Sequence, residues 1–93
     1  MSIPDYQSLM LPVLSASIEG EIRIGDLVER LAEKLALTLE ERAELLPSGK
    51  QTLFSNRVHW AKTYLSKAGL LESTRRGYFK ITPRGLQEVS WPI

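Results

Sequence analysis

Hydrophobic residues recur at helical spacing in three stretches of the chain, and in one later stretch they alternate at strand spacing. Tyr6, Met10, Val13 and Leu14 predict a first helix opening near Pro4, where the missing N–H of a proline does no harm. Pro12 removes the hydrogen bond to the Ser8 carbonyl, so this helix is expected to kink or split there, and Gly20 to end it. Leu27, Leu31 and Leu35, with Val28 beside them, form an i, i+4, i+8 row that predicts a helix from Gly25 to Leu35. Phe54, Val58, Ala61, Leu65 and Ala68 lie within about 40° of one line on a helical wheel. They mark the buried face of a third long helix, which Gly69 ends.

Between the second and third rows, Thr38 and Glu41 make a capping box that opens a short extra helix, expected to end near Leu46 ahead of Pro47. Ser48 and Gln51 repeat the box at the entry to the third long helix, with Thr52 as a competing N-cap. Glu21 to Arg23 predicts a short first strand. Leu70 to Ser73 predicts a second, Thr74-Arg75-Arg76-Gly77 a turn, and Tyr78 to Thr82 a third strand with Phe79 and Ile81 on one face. Thr82 and Pro83 read as N-cap and first residue of a C-terminal helix. Trp91-Pro92-Ile93 falls outside any pattern.

That order is the order of a winged helix-turn-helix: mainly α with a small β-wing, and an extra short helix inserted between the two helices of the motif. In such folds the second helix of the motif lies in the DNA major groove and the ribbon reaches the backbone beside it. Ninety-three residues, 43% hydrophobic and 25% charged, fit one small soluble domain spanning 1–93. The chain has no cysteine, which removes disulfides and thiol chemistry. No apolar run approaches the roughly 18 residues of a membrane span, and the N-terminus does not read as a signal peptide, so a cytoplasmic location is expected.

The net charge is only +1, but its distribution changes the picture. Residues 1–50 carry five basic side chains against nine acidic ones, giving −4; residues 51–93 carry seven against two, giving +5. A polyanion is therefore drawn to the second half. Catalysis is hard to build here. His59 is the single histidine, so a hydrolytic triad or histidine metal site lacks partners. No glycine-rich nucleotide loop is present, and no cofactor or metal is implied. The residues two before the lysines are Ala32, Ser48, Trp60, Leu65 and Tyr78, so the nuclease pattern Asp/Glu-x-Lys fails as well.

What is present suits double-stranded DNA. Asn56, His59, Thr63 and Lys67 form the outward face of the third long helix, flanked by Ser55, Lys62 and Ser66. Asn56 is suited to adenine and His59 to guanine or phosphate, while Thr63 offers contact to a thymine or added methyl group. Lys62 and Lys67 suit phosphates, and Gln51, Thr52 and Ser55 crowd a helix start where backbone amides favour an anion. Arg75 and Arg76 at the ribbon tip are the strongest electrostatic signal, reaching a phosphate or the minor groove. For each of these the plain alternative is a solvated polar surface. Arg57, about 60° from the core line, is expected to pair internally with a glutamate of the inserted helix. Trp60 is expected to pack under that helix in preference to stacking on a ligand.

The ordered set Ile3-Pro4-Asp5-Tyr6, Leu11-Pro12-Val13-Leu14, Leu45-Leu46-Pro47-Ser48-Gly49-Lys50-Gln51, Asn56-Arg57-Val58, Trp60-Ala61, Ala68-Gly69-Leu70-Leu71, Arg76-Gly77 and Ile81-Thr82-Pro83-Arg84-Gly85 spans nearly the whole chain. It resembles the N-terminal domain of Mrr-type, modification-dependent restriction endonucleases. The resemblance implies a winged-helix DNA-binding module joined to a C-terminal PD-(D/E)xK nuclease domain and directed to foreign, chiefly methylated, DNA. By that reading this chain targets and does not cut. The alternatives are a protein-interaction or homodimerisation winged helix and the DNA-binding domain of a transcriptional regulator.

Overall fold

The apolar rows converge on a core of Leu9, Val13, Leu27, Leu31, Phe54, Val58, Ala61, Leu65, Leu71, Phe79 and Ile81, with Leu14, Ile22, Ala32 and Leu37 around it. The computed structural model describes Ile3 and residues 5–90. Pro4 and Trp91-Pro92-Ile93 lie outside the described residues. The elements are α1 (Tyr6–Ala16), β1 (Ile22–Arg23), α2 (Ile24–Lys34), α3 (Leu39–Ala43), α4 (Leu53–Lys67), β2 (Leu71–Arg75), β3 (Tyr78–Ile81) and α5 (Pro83–Ser90). The chain is mainly helical, with one three-stranded antiparallel sheet ordered β1-β3-β2, an architecture compatible with a winged helix.

Asp5 caps α1 by accepting the Ser8 amide at 2.8 Å, a bond that holds its carboxyl below the ordinary aspartate range. The helix then runs through Pro12 as one element and does not split. Ser8, whose carbonyl loses its partner, is exposed, so water can take the missing donor's place. Leu9 and Val13 are fully buried, and α1 packs mainly on α4. Burying each such side chain contributes roughly 1.5–3 kcal/mol, enough to hold the helix across the proline.

The inserted helix is shorter than expected. Its capping box forms, with the Thr38 amide donating to Glu41 Oε1 at 2.8 Å and the Glu41 amide to Thr38 Oγ1 at 3.0 Å. It stops at Ala43 because the next residues do other work: Leu45 bridges Thr52, and the Leu53 amide donates to the Glu44 carbonyl at 2.8 Å. The residues between close a turn in which Gly49 donates to the Leu46 carbonyl at 2.8 Å. Ser48 therefore belongs to that turn, and Thr52 is the N-cap of α4, accepting the Ser55 amide at 3.2 Å.

Helix α4 ends as its sequence predicts. Gly69 takes φ +80°, the Leu70 amide bonds to the Leu65 carbonyl and the Gly69 amide to Ser66. Ala68, placed on the buried face by its spacing, is instead the exposed C-cap, where the helix has already run past the core. Helix α2 ends in the same motif without a glycine: Ala36 holds φ 55° while Leu37, the next residue, bonds back to Ala32 and is buried.

In the hairpin, strand β2 extends through Arg75, which pairs with Tyr78, so the turn is Arg76-Gly77 alone and the irregularity falls between Ser73 and Arg75. Ile22 faces Phe79 and Arg23 faces Tyr78, which confirms the short first strand. Thr82 locks the hairpin's far end. Its hydroxyl donates to the Gly69 carbonyl at 2.6 Å and accepts the Gly85 amide at 3.1 Å. Gly85 is required by close approach: a Cβ there would sit 2.3 Å from the Leu70 carbonyl oxygen.

Two substitutions of opposite sign follow. Gly85→Ala should destabilise the fold by about 1–3 kcal/mol through overpacking against backbone that cannot yield. Ala36→Gly should stabilise it by roughly 0.5–1 kcal/mol, the left-handed penalty relieved less the added freedom of the unfolded chain. Chemical denaturation of both variants checks this, and a neutral Gly85→Ala would refute the close-packed contact.

Candidate nucleic-acid interface

Helix α4 is fifteen residues long and contains no Asp or Glu, while Arg57, Lys62, Lys67 and His59 give it basic character. Its buried row fixes its rotation, so the opposite side is presented outward. Asn56 and Thr63 are half-buried there, and His59 and Lys67 are exposed. Three of the expected groups at the helix start serve the fold as well: Thr52 caps the helix, Ser55 supplies the capped amide, and Gln51 accepts the Asn56 side-chain amide at 3.3 Å. This last bond fixes the Asn56 carboxamide from its donor side. Thr63 donates its hydroxyl to the His59 carbonyl at 2.9 Å, so its methyl is the group the helix does not use.

Lys62 links the helix to the hairpin. It is half-buried, and its ammonium lies 5.6 Å from the centroid of the Phe79 ring. Lys62 also bears on His59: partial burial of the imidazole, and then the Lys62 charge, hold its pKa below the ordinary 6.5. Lys67, in the last turn of α4, makes no ion pair among the described residues.

The two hairpin arginines, grouped together by the sequence, occupy different situations. Arg76 is exposed at the turn and has no ion pair among the described residues. Arg75 stands in β2. Its guanidinium lies 3.9 Å from the Tyr78 ring centroid, and its Nη2 is 3.2 Å from Glu21 Oε1. Lys80 pairs across the strands with Glu72 at 3.4 Å. The structure thus brings Lys62 of α4 onto Phe79 of the hairpin. It separates the Gln51–Thr52 start from Lys67 by the helix length, about 20 Å.

Arg57 and Trp60 make contacts that their spacing did not announce. Arg57 donates from Nη1 to the Ile3 carbonyl at 2.7 Å, tying the N-terminal segment to α4, and the arginine that reaches from the inserted helix is Arg42, 4.0 Å from Glu29. Trp60 remains 49% exposed; its ring leans on Tyr64 at 6.0 Å, and Tyr64 stacks on Tyr6 at 4.9 Å. Its wheel position, about 40° from Asn56, was the available signal that it borders the outward face. Elsewhere an open cleft of about 300 Å³ is lined by Thr38, Glu40, Glu41 and Glu44, a surface that repels a polyanion. Among the described residues no cluster of His, Asp or Glu is arranged to hold a metal, and no helix is long and apolar enough to cross a membrane.

Comparison with known proteins gives two matches. The family model of the Mrr N-terminal domain matches residues 6–90. The Type IV methyl-directed restriction enzyme EcoKMrr of Escherichia coli (strain K12) is 36% identical over 93 residues, covering 97% of this chain and 30% of that enzyme's length. No solved structure matches.

The His59–Lys62 proximity has a measurable consequence. NMR titration should place the His59 pKa below 6.5, and Lys62→Gln should move it part of the way back. Because the fold favours the neutral ring, the stability this contributes is full above pH 6.5 and is lost as pH falls through the folded pKa. An unchanged pKa in Lys62→Gln would remove the electrostatic contact.

Proposed function

Because the chain belongs to the Mrr N-terminal domain family, we propose that residues 1–93 form a winged helix-turn-helix domain that binds double-stranded DNA and targets a restriction endonuclease to it. In this reading α2 and α4 are the two helices of the motif, α3 is the insertion between them, α4 enters the major groove and β2–β3 is the wing on the backbone. The observation that carries it is the acid-free α4, with Asn56, His59, Thr63 and Lys67 outward and Lys62 leading to the wing. Asn56, held by Gln51, is the base-reading group, and Thr63 contributes a methyl. Lys62, Lys67 and Arg76 contact phosphates and set register without reading sequence. Gln51, Thr52 and Ser55 bring the start of α4 to the backbone.

The chain spans 30% of the length of its curated relative. The nuclease chemistry in our reading belongs to a C-terminal domain of the full-length protein, and this domain supplies address. That relative is named as methyl-directed, and we extend a methylated target to this chain on that likeness. A single module of this kind buries roughly 600–1,000 Å² of protein surface on DNA, so a second copy or the nuclease domain adds to its affinity. A second reading, docking on a protein, has in its favour Leu39, 83% exposed on α3, and the exposed Leu45 that follows the helix.

Fluorescence anisotropy of a labelled duplex, methylated and unmethylated, at 50 and 200 mM salt tests the proposal. With Lys62, Lys67 and Arg76 neutralising about three phosphates, affinity should fall about fortyfold between the two salts. Lys67→Ala and Arg76→Ala should each weaken all sequences alike, whereas Asn56→Ala should alter preference among them. Salt-independent binding, or a Lys67→Ala/Arg76→Ala variant that binds like the parent, would sink the interface, and binding of neither duplex would leave the protein-docking reading.

A further inference from the structure

The wing is less positive than its sequence implies, because the fold brings a carboxylate to it from the acidic half of the chain. Glu21 precedes β1, and the β1–β3 register, Ile22 against Phe79 and Arg23 against Tyr78, carries it alongside the wing. There its Oε1 sits 3.2 Å from Arg75 Nη2, across 54 residues of sequence. The Thr74 hydroxyl, and then the Arg75 guanidinium, hold the Glu21 carboxyl below the ordinary glutamate range, so it is ionised at neutral pH. Lys80, the other wing cation in a strand, is matched by Glu72. Arg76 is the wing cation without an ion pair among the described residues.

We propose that Glu21 is an internal counter-ligand of the wing, occupying on Arg75 the place a DNA phosphate takes, so that duplex binding exchanges one oxyanion for another. The inference rests on the DNA-binding reading above. A guanidinium presents the same fork of donors to a carboxylate and to a phosphate, which makes the exchange chemically like for like. Both partners are solvent-accessible, Arg75 63% and Glu21 37% exposed, so a phosphate can approach without unfolding the wing. An exposed pair of this kind is weak enough to be displaced. The Tyr78 ring lies under the guanidinium at 3.9 Å, a second contact on Arg75 that does not involve Glu21. Glu21 thus competes with phosphate for the Arg75 guanidinium. It sets how many phosphates the wing engages at a given salt concentration, and makes binding less tolerant of salt-poor, non-specific contacts.

The test is a double-mutant cycle on the whole 93-residue chain, read by the same labelled duplex over a salt series. Glu21→Gln keeps the shape and removes the charge. It should tighten binding roughly tenfold at 50 mM and roughly threefold at 200 mM salt, steepening the log–log slope by about one phosphate. In an Arg75→Ala background the same substitution should have little effect on slope or affinity. Glu19→Gln, two residues away and outside any ion pair among the described residues, serves as the control for bulk charge. Equal or weaker binding by Glu21→Gln would overturn the exchange, since Glu21 would then hold Arg75 ready for DNA. A gain that persists in Arg75→Ala, or that Glu19→Gln reproduces in full, would overturn it too. If the parent chain shows salt-sensitive binding and Glu21→Gln matches it, the inference fails alone; if neither binds at 50 mM salt, the DNA reading fails and carries the inference with it.

Discussion

Phe79 has no exposed surface, and the strand that carries it alternates so that Ile81 is also buried while Lys80 faces out. A slip of one residue in β3 would drive Lys80 into the core and expel Phe79, a cost no other contact in so small a sheet can offset. The burial of one ring therefore dictates the register on both sides of β3. Toward β2 it sets Arg75 opposite Tyr78 and leaves Arg76-Gly77 as the turn. Toward β1 it sets Ile22 opposite Phe79 and so delivers Glu21 to the guanidinium. The Lys62 ammonium rests above the same ring, which couples the rotation of α4 to the position of the hairpin.

Electrostatics in this chain are a product of that geometry more than of composition. The sequence divides into an acidic and a basic half, yet folding mixes them. Glu21 neutralises Arg75, while Arg42, in the acidic half, stays with Glu29 there. Lys62 and Lys67 on α4, which has no carboxylate of its own, Arg76 at the turn and Arg84 in α5 are left outside any ion pair among the described residues. The free positive surface is thus narrower than the count of basic residues suggests, and it follows the helix more than the hairpin. In the proposed DNA reading this shifts weight from the wing to the groove-facing helix, where contacts can read bases as well as hold the backbone.

Much of this was legible in the sequence, for a physical reason: local rules acted without competition. The row from Phe54 to Leu65, the Gly69 stop, the Thr38–Glu41 box and the Thr82-Pro83 start are each satisfied within a few residues, and each forms. Misreadings arose where a non-local contact claimed a residue that a local rule also wanted. Ser48 has the spacing of a cap, but the Leu45–Thr52 bridge makes its segment a turn. Pro12 should interrupt a helix, but α1 is held by its packing on α4. Ala36 carries no signal for a left-handed residue, and is held there by the burial of Leu37. The Arg75–Glu21 pair spans 54 residues and depends on a two-residue strand, so no periodicity could announce it.

The side chains of α4 show how one helix can be divided among separate demands. Its buried row serves the core. Tyr64, stacked on Tyr6 from α1, serves the helix pair and carries Trp60 on its edge. Lys62 serves the hairpin. Asn56, His59, Thr63 and Lys67 face outward, and two of these are already braced within the helix or at its start, Asn56 by Gln51 and Thr63 by the His59 carbonyl. A face whose polar groups are pre-set in this way loses less freedom on meeting a rigid duplex than one of unrestrained side chains. That braced outward face is the physical ground on which the DNA-targeting reading stands beside the family relationship.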